Sequence, residues 1–239
     1  MIDLRSSLRA FVAEHSPEML ELFRRARRAA RNYLGSPSRP FERIYLQNLW
    51  GNSESRSGVG STTEATAILC RSLPGLLQEL GVRTVVDAPC GDYWLRRAKL
   101  ELERYRGLDS VPALIAANTA RYASPSATFQ VLDLTEAAPP RADLILCRDL
   151  LIHLSFRHAR RVLANFKRSG STYLLCSTNP DHPANVDIVT GSFRPLNLRR
   201  APFDLPAPMR ELDDGPDEAG PGTVRRTMAL WRLADLPIA

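Results

Sequence analysis

A chain of 239 residues is long enough to bury a sizeable core in one domain. Its hydrophobic fraction of 44% and charged fraction of 24% are those of an ordinary globular protein, which excludes a fibrous or low-complexity chain. The net charge is +6, and no apolar run approaches the roughly 20 residues of a membrane span. The start of the chain lacks a secretory signal and the four cysteines are scattered, so we expect a cytoplasmic protein with reduced core thiols.

The first part of the chain has a helical pattern. Apolar side chains recur at helical spacing over residues 3–34, and Pro17 divides the pattern into two predicted helices. A break follows at 35–40. We therefore expect residues 1–40 to form a helical extension that serves as a lid or a dimer element, and residues 41–239 to form the main domain.

A polar loop at 51–63 precedes an amphipathic helix predicted over 64–80. Ser61 and Glu64 have the spacing of a capping box. Free N–H groups at such a helix start, around Gly60 and Ser61, suit a ligand carboxylate, although an ordinary capped loop explains the pattern equally well.

The middle of the chain alternates strand and helix patterns, which favours a parallel sheet. The first predicted strand ends at Asp87, and the next four cover 105–109, 128–134, 142–149 and 172–178. Helices are predicted at 111–122 and 155–168, and a closing strand at 224–233. Residues 213–222 are acidic and rich in glycine, and they are predicted to be mobile surface.

Acidic residues stand at the ends of the first three strands. Asp87 leads into a tight turn containing Pro89 and Gly91, at the sheet edge where nucleotide-like ligands bind. Asp109 follows at the end of the second strand, where one carboxylate can accept hydrogen bonds from both hydroxyls of a ribose. Asp133 ends the third strand.

Over residues 80–178 the chain resembles the class I S-adenosylmethionine (SAM)-dependent methyltransferases. The resemblance implies an α/β, Rossmann-like sheet that is mostly parallel with an antiparallel closing strand. It also implies SAM as the cofactor and S-adenosylhomocysteine as the product. The residues expected to bind the cofactor are Asp87, Pro89, Gly91, Asp109, Asp133, Leu134, Arg148, Gly60 and Ser61.

A narrower resemblance, to a bacterial methyltransferase subfamily, covers about 45–233. It rests on the blocks at 48–52, 57–62, 87–92, 147–155 and 194–198. It supports the type of reaction rather than the identity of the acceptor.

The segment after the fourth strand supplies the candidate base. Asp149 and His153 are four residues apart and would share one face of a helix. A carboxylate beside an imidazole orients it and raises its pKa, so His153 would act as the base and Asp149 as its partner. The alternatives are a helix cap for Asp149 and a structural or SAM-contacting role for His153.

Three further residues are candidates for binding the acceptor. Trp50 either stacks on a ring or fills the core, and Arg194 and Asn197 either bind the acceptor or anchor a loop. The motif that nucleobase amino methylation often uses is missing at 147–150, and no side chains have clear metal-ligand spacing. The expected acceptor is therefore a small molecule or glycan, most readily a hydroxyl, with no metal.

Two other functions stay open. The arginine-rich run at 24–31 is either a solvated face or a contact for a nucleic acid, a membrane surface or a protein acceptor, although a nucleic acid is the less expected partner. The chain could also bind SAM without catalysis.

Overall fold

The computed structural model describes residue 18 and residues 37–217 and 224–238. The helices are α1 (Arg39–Gln47), α2 (Thr63–Glu79), α3 (Pro112–Tyr122) and α4 (Phe156–Arg168). The strands are β1 (Thr84–Asp87), β2 (Arg104–Asp109), β3 (Ala127–Val131), β4 (Leu144–Cys147), β5 (Tyr173–Thr178), β6 (Arg210–Asp217) and β7 (Val224–Arg232). The predicted N-terminal helices and the arginine-rich run lie outside the described residues.

The strands form one seven-stranded sheet in the order β3-β2-β1-β4-β5-β7-β6. Strands β1 to β5 pair in parallel, and β7 pairs antiparallel with both β5 and β6. The predicted α/β fold with an antiparallel closing strand is confirmed. The strand order reverses at β1 and β4, and this switch point opens a crevice beyond the carboxyl ends of the strands.

Both faces of the sheet are covered, as continuous apolar strands require. Val85 belongs to the core cluster that contains Leu69 and Leu73 of α2. Its neighbour Val86 points to the other face and belongs to the cluster that contains Phe166 of α4. The alternation along β1 therefore places α2 and α4 on opposite faces of the sheet.

Two local predictions differ from the structure. The N-cap of α2 is Thr62, whose hydroxyl accepts a hydrogen bond from the Ala65 N–H, so the capping box predicted at Ser61 is wrong by one residue. The segment at 210–217 is strand β6, whereas we predicted mobile surface from residue 213. Pairing with β7 orders this acidic segment, and a bulge lies between Asp213 and Pro216. The remaining part of the predicted surface loop, 218–222, lies outside the described residues.

All four cysteines are free, and Cys90, Cys147 and Cys176 are buried, in agreement with their prediction as core thiols. Among the helices that the structure describes, none is long and apolar enough to cross a membrane.

Candidate functional site

A cavity of about 550 Å³ lies beyond the carboxyl ends of β1 to β4. Its volume is in the usual range for a site that binds a small molecule. The predicted site residues that line it are Trp50, Gly60, Ser61, Pro89, Gly91, Asp109, Asp133, Leu134, Arg148, Asp149 and His153. Segments that are more than 100 residues apart in the chain therefore meet at one site.

Asp109 places a carboxylate in the cavity wall at the end of β2. It is 8% exposed, and its Oδ1 accepts a hydrogen bond of 3.0 Å from the Val111 N–H. Burial raises the pKa of Asp109 to about 6, against backbone hydrogen bonds that lower it. The side chain is therefore mainly ionised at neutral pH and can accept further hydrogen bonds from a ligand.

The turn after β1 is held against the loop that precedes α2. Gly91 has a φ of +50°, and a Cβ there would lie 2.8 Å from the Ser57 hydroxyl oxygen. That same oxygen accepts a hydrogen bond of 3.0 Å from the Asp92 N–H. Glycine is required at position 91 both by its backbone conformation and by this close approach.

The turn after β3 forms a second polar part of the wall. Asp133 Oδ1 accepts hydrogen bonds from the Thr135 N–H at 2.9 Å and from the Thr135 hydroxyl at 2.7 Å. The Leu134 carbonyl accepts a hydrogen bond of 2.7 Å from the Asn165 side chain in α4. The turn is thus fixed before any ligand binds.

Asp87 lies beneath the site and is not among the residues that line the cavity. It is fully buried, and its Oδ2 accepts a hydrogen bond of 2.8 Å from the Tyr105 hydroxyl. Burial raises the pKa of Asp87 to about 8, and the Tyr105 hydrogen bond only partly offsets this. Its contribution to a bound ligand would be indirect, through the turn that it begins.

The raised pKa of Asp87 predicts how stability changes with pH. The folded state keeps a proton on this carboxyl that the unfolded state releases near the ordinary aspartate pKa of 3.8. Wild-type stability should therefore fall as the pH rises from about 4 to about 8. Asp87→Asn should make this decline shallower by up to about 1.4 kcal/mol per pH unit. Urea unfolding at several pH values measures the slope, and Asp235→Asn, at an exposed position, is the control that should leave it unchanged.

Four charged side chains, of which all but Asp149 are buried, form a group that we call the arginine–aspartate cluster: Arg148, Asp149, Asp214 and Arg226. Arg148 Nε lies 2.9 Å from Asp214 Oδ2, and Arg226 Nε lies 2.7 Å from the same oxygen. Both arginines also lie 3.2 Å from Asp149 Oδ2. The cluster has no net charge when all four groups are ionised, and all four line the cavity.

The cluster also holds the loop before α2. Arg148 Nη1 donates a hydrogen bond of 2.7 Å to the Gly60 carbonyl. A Cβ on Gly60 would lie 3.0 Å from Asp149 Oδ2, so the loop backbone approaches the carboxylate closely. Arg148 therefore pairs with Asp214 and Asp149 and also holds the loop at Gly60, which lines the cavity.

The cluster sets the charge of Asp149. Burial would raise the pKa of Asp149, but Arg148, Arg226 and, to a smaller extent, His153 together lower it below its usual value. Burial raises the pKa of Asp214 to about 6 in spite of its two arginine partners. Asp149 is thus an anion at neutral pH and a weak base.

Sequence reasoning missed Asp214 and Arg226. They come from β6 and β7, which are far in sequence from β4, and only the antiparallel hairpin brings them to Arg148. The available signal was an arginine within the predicted closing strand, beside Thr227 and Met228. A buried charge requires a partner.

His153 does not share a helix face with Asp149, so that prediction is wrong. Asp149 has a φ of +56°, a short 3₁₀ helix covers only Leu151–His153, and α4 begins at Phe156. The His153 Nδ1 lies 2.9 Å from the Ser192 carbonyl oxygen. A carbonyl can only accept, so Nδ1 carries the proton and Nε2 carries the lone pair of the neutral ring.

Arg194 and Asn197 are not among the residues that line the cavity. Arg194 Nη1 donates to the Leu154 carbonyl at 2.7 Å, and Asn197 Nδ2 donates to the Pro180 carbonyl at 2.7 Å. Both are buried, so the structure places them as loop anchors rather than in contact with a ligand in this cavity. Arg194 supports the backbone on which His153 lies.

Neither a scan against protein families nor a search of curated proteins found a match. Solved structures do match. A SAM-dependent methyltransferase from Leishmania major is 16% identical, with a TM-score of 0.59, over 82% of this chain and 87% of that chain. At this identity the likeness shows the fold alone, which is that of the class I methyltransferases, and the narrower bacterial subfamily stays a prediction.

Two other matches have lower TM-scores. The magnesium protoporphyrin IX methyltransferase from Synechocystis, solved with bound S-adenosylhomocysteine, is 15% identical over 87% of this chain and 99% of that chain, with a TM-score of 0.48. The mitomycin 7-O-methyltransferase MmcR is 19% identical over 72% of this chain and 54% of that chain, with a TM-score of 0.49. This chain thus spans about half the length of MmcR.

Proposed function

We propose that this chain is a SAM-dependent methyltransferase that methylates a hydroxyl group of a small molecule or glycan. The observation that carries the proposal is the cavity at the carboxyl edge of a class I methyltransferase sheet, with carboxylates at the ends of β2 and β3 and a base candidate after β4. This is the edge at which open α/β sheets bind their ligands.

The residues present fit the cofactor. Asp109, whose buried carboxylate faces the cavity, would accept hydrogen bonds from the two ribose hydroxyls. Asp133 would accept a hydrogen bond from the adenine amino group. The close approach of Gly91 to Ser57 leaves room for no side chain beside the turn after β1. At the other end, the loop around Gly60 and Ser61 would bind the carboxylate of the methionine part, and Asp149 would bind its ammonium group.

When bound, the cofactor would supply a methyl group on a sulfonium sulfur, which would keep the electron pair of the broken carbon–sulfur bond. His153 Nε2 would take the proton that the acceptor hydroxyl loses. The chain itself must orient the two reactants, and such proximity can lower the activation free energy by several kcal/mol. Ser192 fixes the imidazole tautomer that can take the proton.

Binding of SAM to the purified chain tests the proposal directly. Asp109→Ala should weaken binding by roughly 1.5–3 kcal/mol, because hydrogen bonds to a charged acceptor are lost. Isothermal titration calorimetry measures both affinities, with Asp235→Ala, at an exposed position, as the control. Absence of SAM binding by the wild type would refute the proposal, and equal affinities would refute the ribose assignment.

The loop before α2 should respond to the ligand. Arg56, Ser57 and Gly58 line the cavity, so a bound molecule would reduce the freedom of this segment. We expect trypsin to cut after Arg56 more slowly when S-adenosylhomocysteine is present, while cutting after Arg141, which is exposed in a loop and does not line the cavity, is unchanged. An unchanged rate at Arg56 would identify the loop as a fixed structural arm.

A further inference from the structure

The end of the cavity at His153 has a chemical character of its own. Resting on the function proposed above, we infer that the acceptor is a planar aromatic compound that bears a hydroxyl group, and that Trp50 determines this specificity.

Three aromatic rings surround the imidazole of His153. The ring centres of Trp50, Phe193 and Phe41 lie 5.3, 5.9 and 6.5 Å from its centre. All three residues line the cavity together with His153. The base candidate therefore stands among ring faces and edges, which pack well against another planar ring.

The rim of the cavity at this end carries two large apolar side chains that are partly open. Trp50 is 38% exposed and Val59 is 52% exposed, although both line the cavity. Gly58 has a φ of +94°, and a Cβ there would lie 3.3 Å from Trp50 Cε3, so the indole ring is held closely against the loop. Large apolar side chains left partly open beside a cavity are typical of a binding surface for an apolar ligand.

These walls discriminate between an aromatic acceptor and a sugar. A sugar has several hydroxyls, and each one that is buried among rings without a partner costs binding free energy. A phenol has a single hydroxyl, which can donate to His153 Nε2. The two arginines of the arginine–aspartate cluster are already engaged, because the Arg148 guanidinium binds Asp214 and Gly60 and the Arg226 guanidinium binds Asp149 and Asp214.

Three acceptor probes test the inference with the full chain and SAM. They are 2-naphthol, decahydro-2-naphthol, which has the same carbon skeleton without a planar ring, and methyl β-D-glucopyranoside. Formation of S-adenosylhomocysteine gives kcat/KM for each probe. Because a phenol hydroxyl is also far more acidic than an alcohol hydroxyl, calorimetry in the presence of S-adenosylhomocysteine compares the binding of the three probes directly. We expect 2-naphthol to bind about tenfold or more tightly than the other two, because only a planar ring makes aromatic contacts.

A variant series assigns the effect to Trp50. Trp50→Ala should lower kcat/KM for 2-naphthol by about tenfold through KM, whereas Trp50→Phe should retain most of it. SAM affinity, measured by calorimetry, should be the same in both variants, which shows that they are folded. Val186→Ala is the matched control, since Val186 is 64% exposed and does not line the cavity.

The possible failures are distinguishable. Turnover of the glucoside at or above the rate for 2-naphthol would overturn the inference and leave the proposed function intact. Binding of SAM with no turnover, and with no binding of 2-naphthol by calorimetry in the presence of S-adenosylhomocysteine, would also overturn it. Absence of SAM binding by the wild type would refute the proposed function itself.

Discussion

His153→Ala is expected to lower kcat by roughly 10²-fold or more, because it would remove the proposed general base for the acceptor hydroxyl. SAM affinity should change little, since the sulfonium donor needs no base. Steady-state kinetics with an accepted probe such as 2-naphthol, together with calorimetry of SAM, separate the two effects. His182→Ala, outside the cavity, is the control.

The same experiment separates Asp149 from His153. If Asp149 and His153 acted together as one base, as their spacing predicts, the double variant would lose no more kcat/KM than the worse single variant. In the structure the Asp149 carboxylate lies beside Arg148 and Arg226, while the His153 Nδ1 binds the Ser192 carbonyl. We therefore expect Asp149→Asn to weaken SAM binding, and the losses in kcat/KM to multiply. Full activity of His153→Ala would show that proximity alone drives the transfer or that the acceptor is an amine already deprotonated.

Asp214→Ala is expected to destabilise the fold by about 3–5 kcal/mol, because it leaves two buried guanidinium groups without their shared carboxylate. Asp214 is 1% exposed and binds both Arg148 and Arg226. The loop at Gly60 should loosen as well, since Arg148 holds its carbonyl, and SAM affinity should fall. Urea unfolding at pH 7.5 measures the first effect and calorimetry the second.

The chain offers a matched control on the same strand. Arg210 of β6 lies 3.1 Å from Glu79 Oε1, with both side chains more than half exposed. Because water and ions screen an exposed pair, Glu79→Ala should cost at most about 1 kcal/mol. A similar cost for Asp214→Ala and Glu79→Ala would show that the cluster contributes no more than a surface ion pair. Asp214→Asn keeps the shape of the side chain but removes its charge and one of the two oxygens that face the arginines.

The parallel sheet and the edge at which the site lies could be read from the sequence. Buried parallel strands need continuous apolar runs, and those of β1, β4 and β5 are visible in the chain. Each strand then delivers the residue that follows it to the same edge of the sheet. This is why Asp109, Asp133 and Asp149 could be assigned to one cavity before the structure was known.

Contacts between distant segments of the chain could not be predicted from the sequence. Asp87 and Asp109 both stand at strand ends, but only the packing of Tyr105 decides that Asp87 is buried beneath the site. Arg194 is a plausible ligand for an anion by residue type, yet its guanidinium binds the backbone beside His153. Residue type gives the chemistry that a side chain can perform, whereas burial and partners decide whether it performs it.

The sequence by itself determined the α/β sheet and the strand-end carboxylates, because these depend on local patterns with a fixed period and on the direction of parallel strands. Only the tertiary structure decided how the charges at the site are paired. Asp214 and Arg226 reach Arg148 through the β6–β7 hairpin, across 66 and 78 positions of the chain (214 − 148 and 226 − 148). Such pairing depends on side chains meeting in a buried space of low dielectric, which no local pattern encodes.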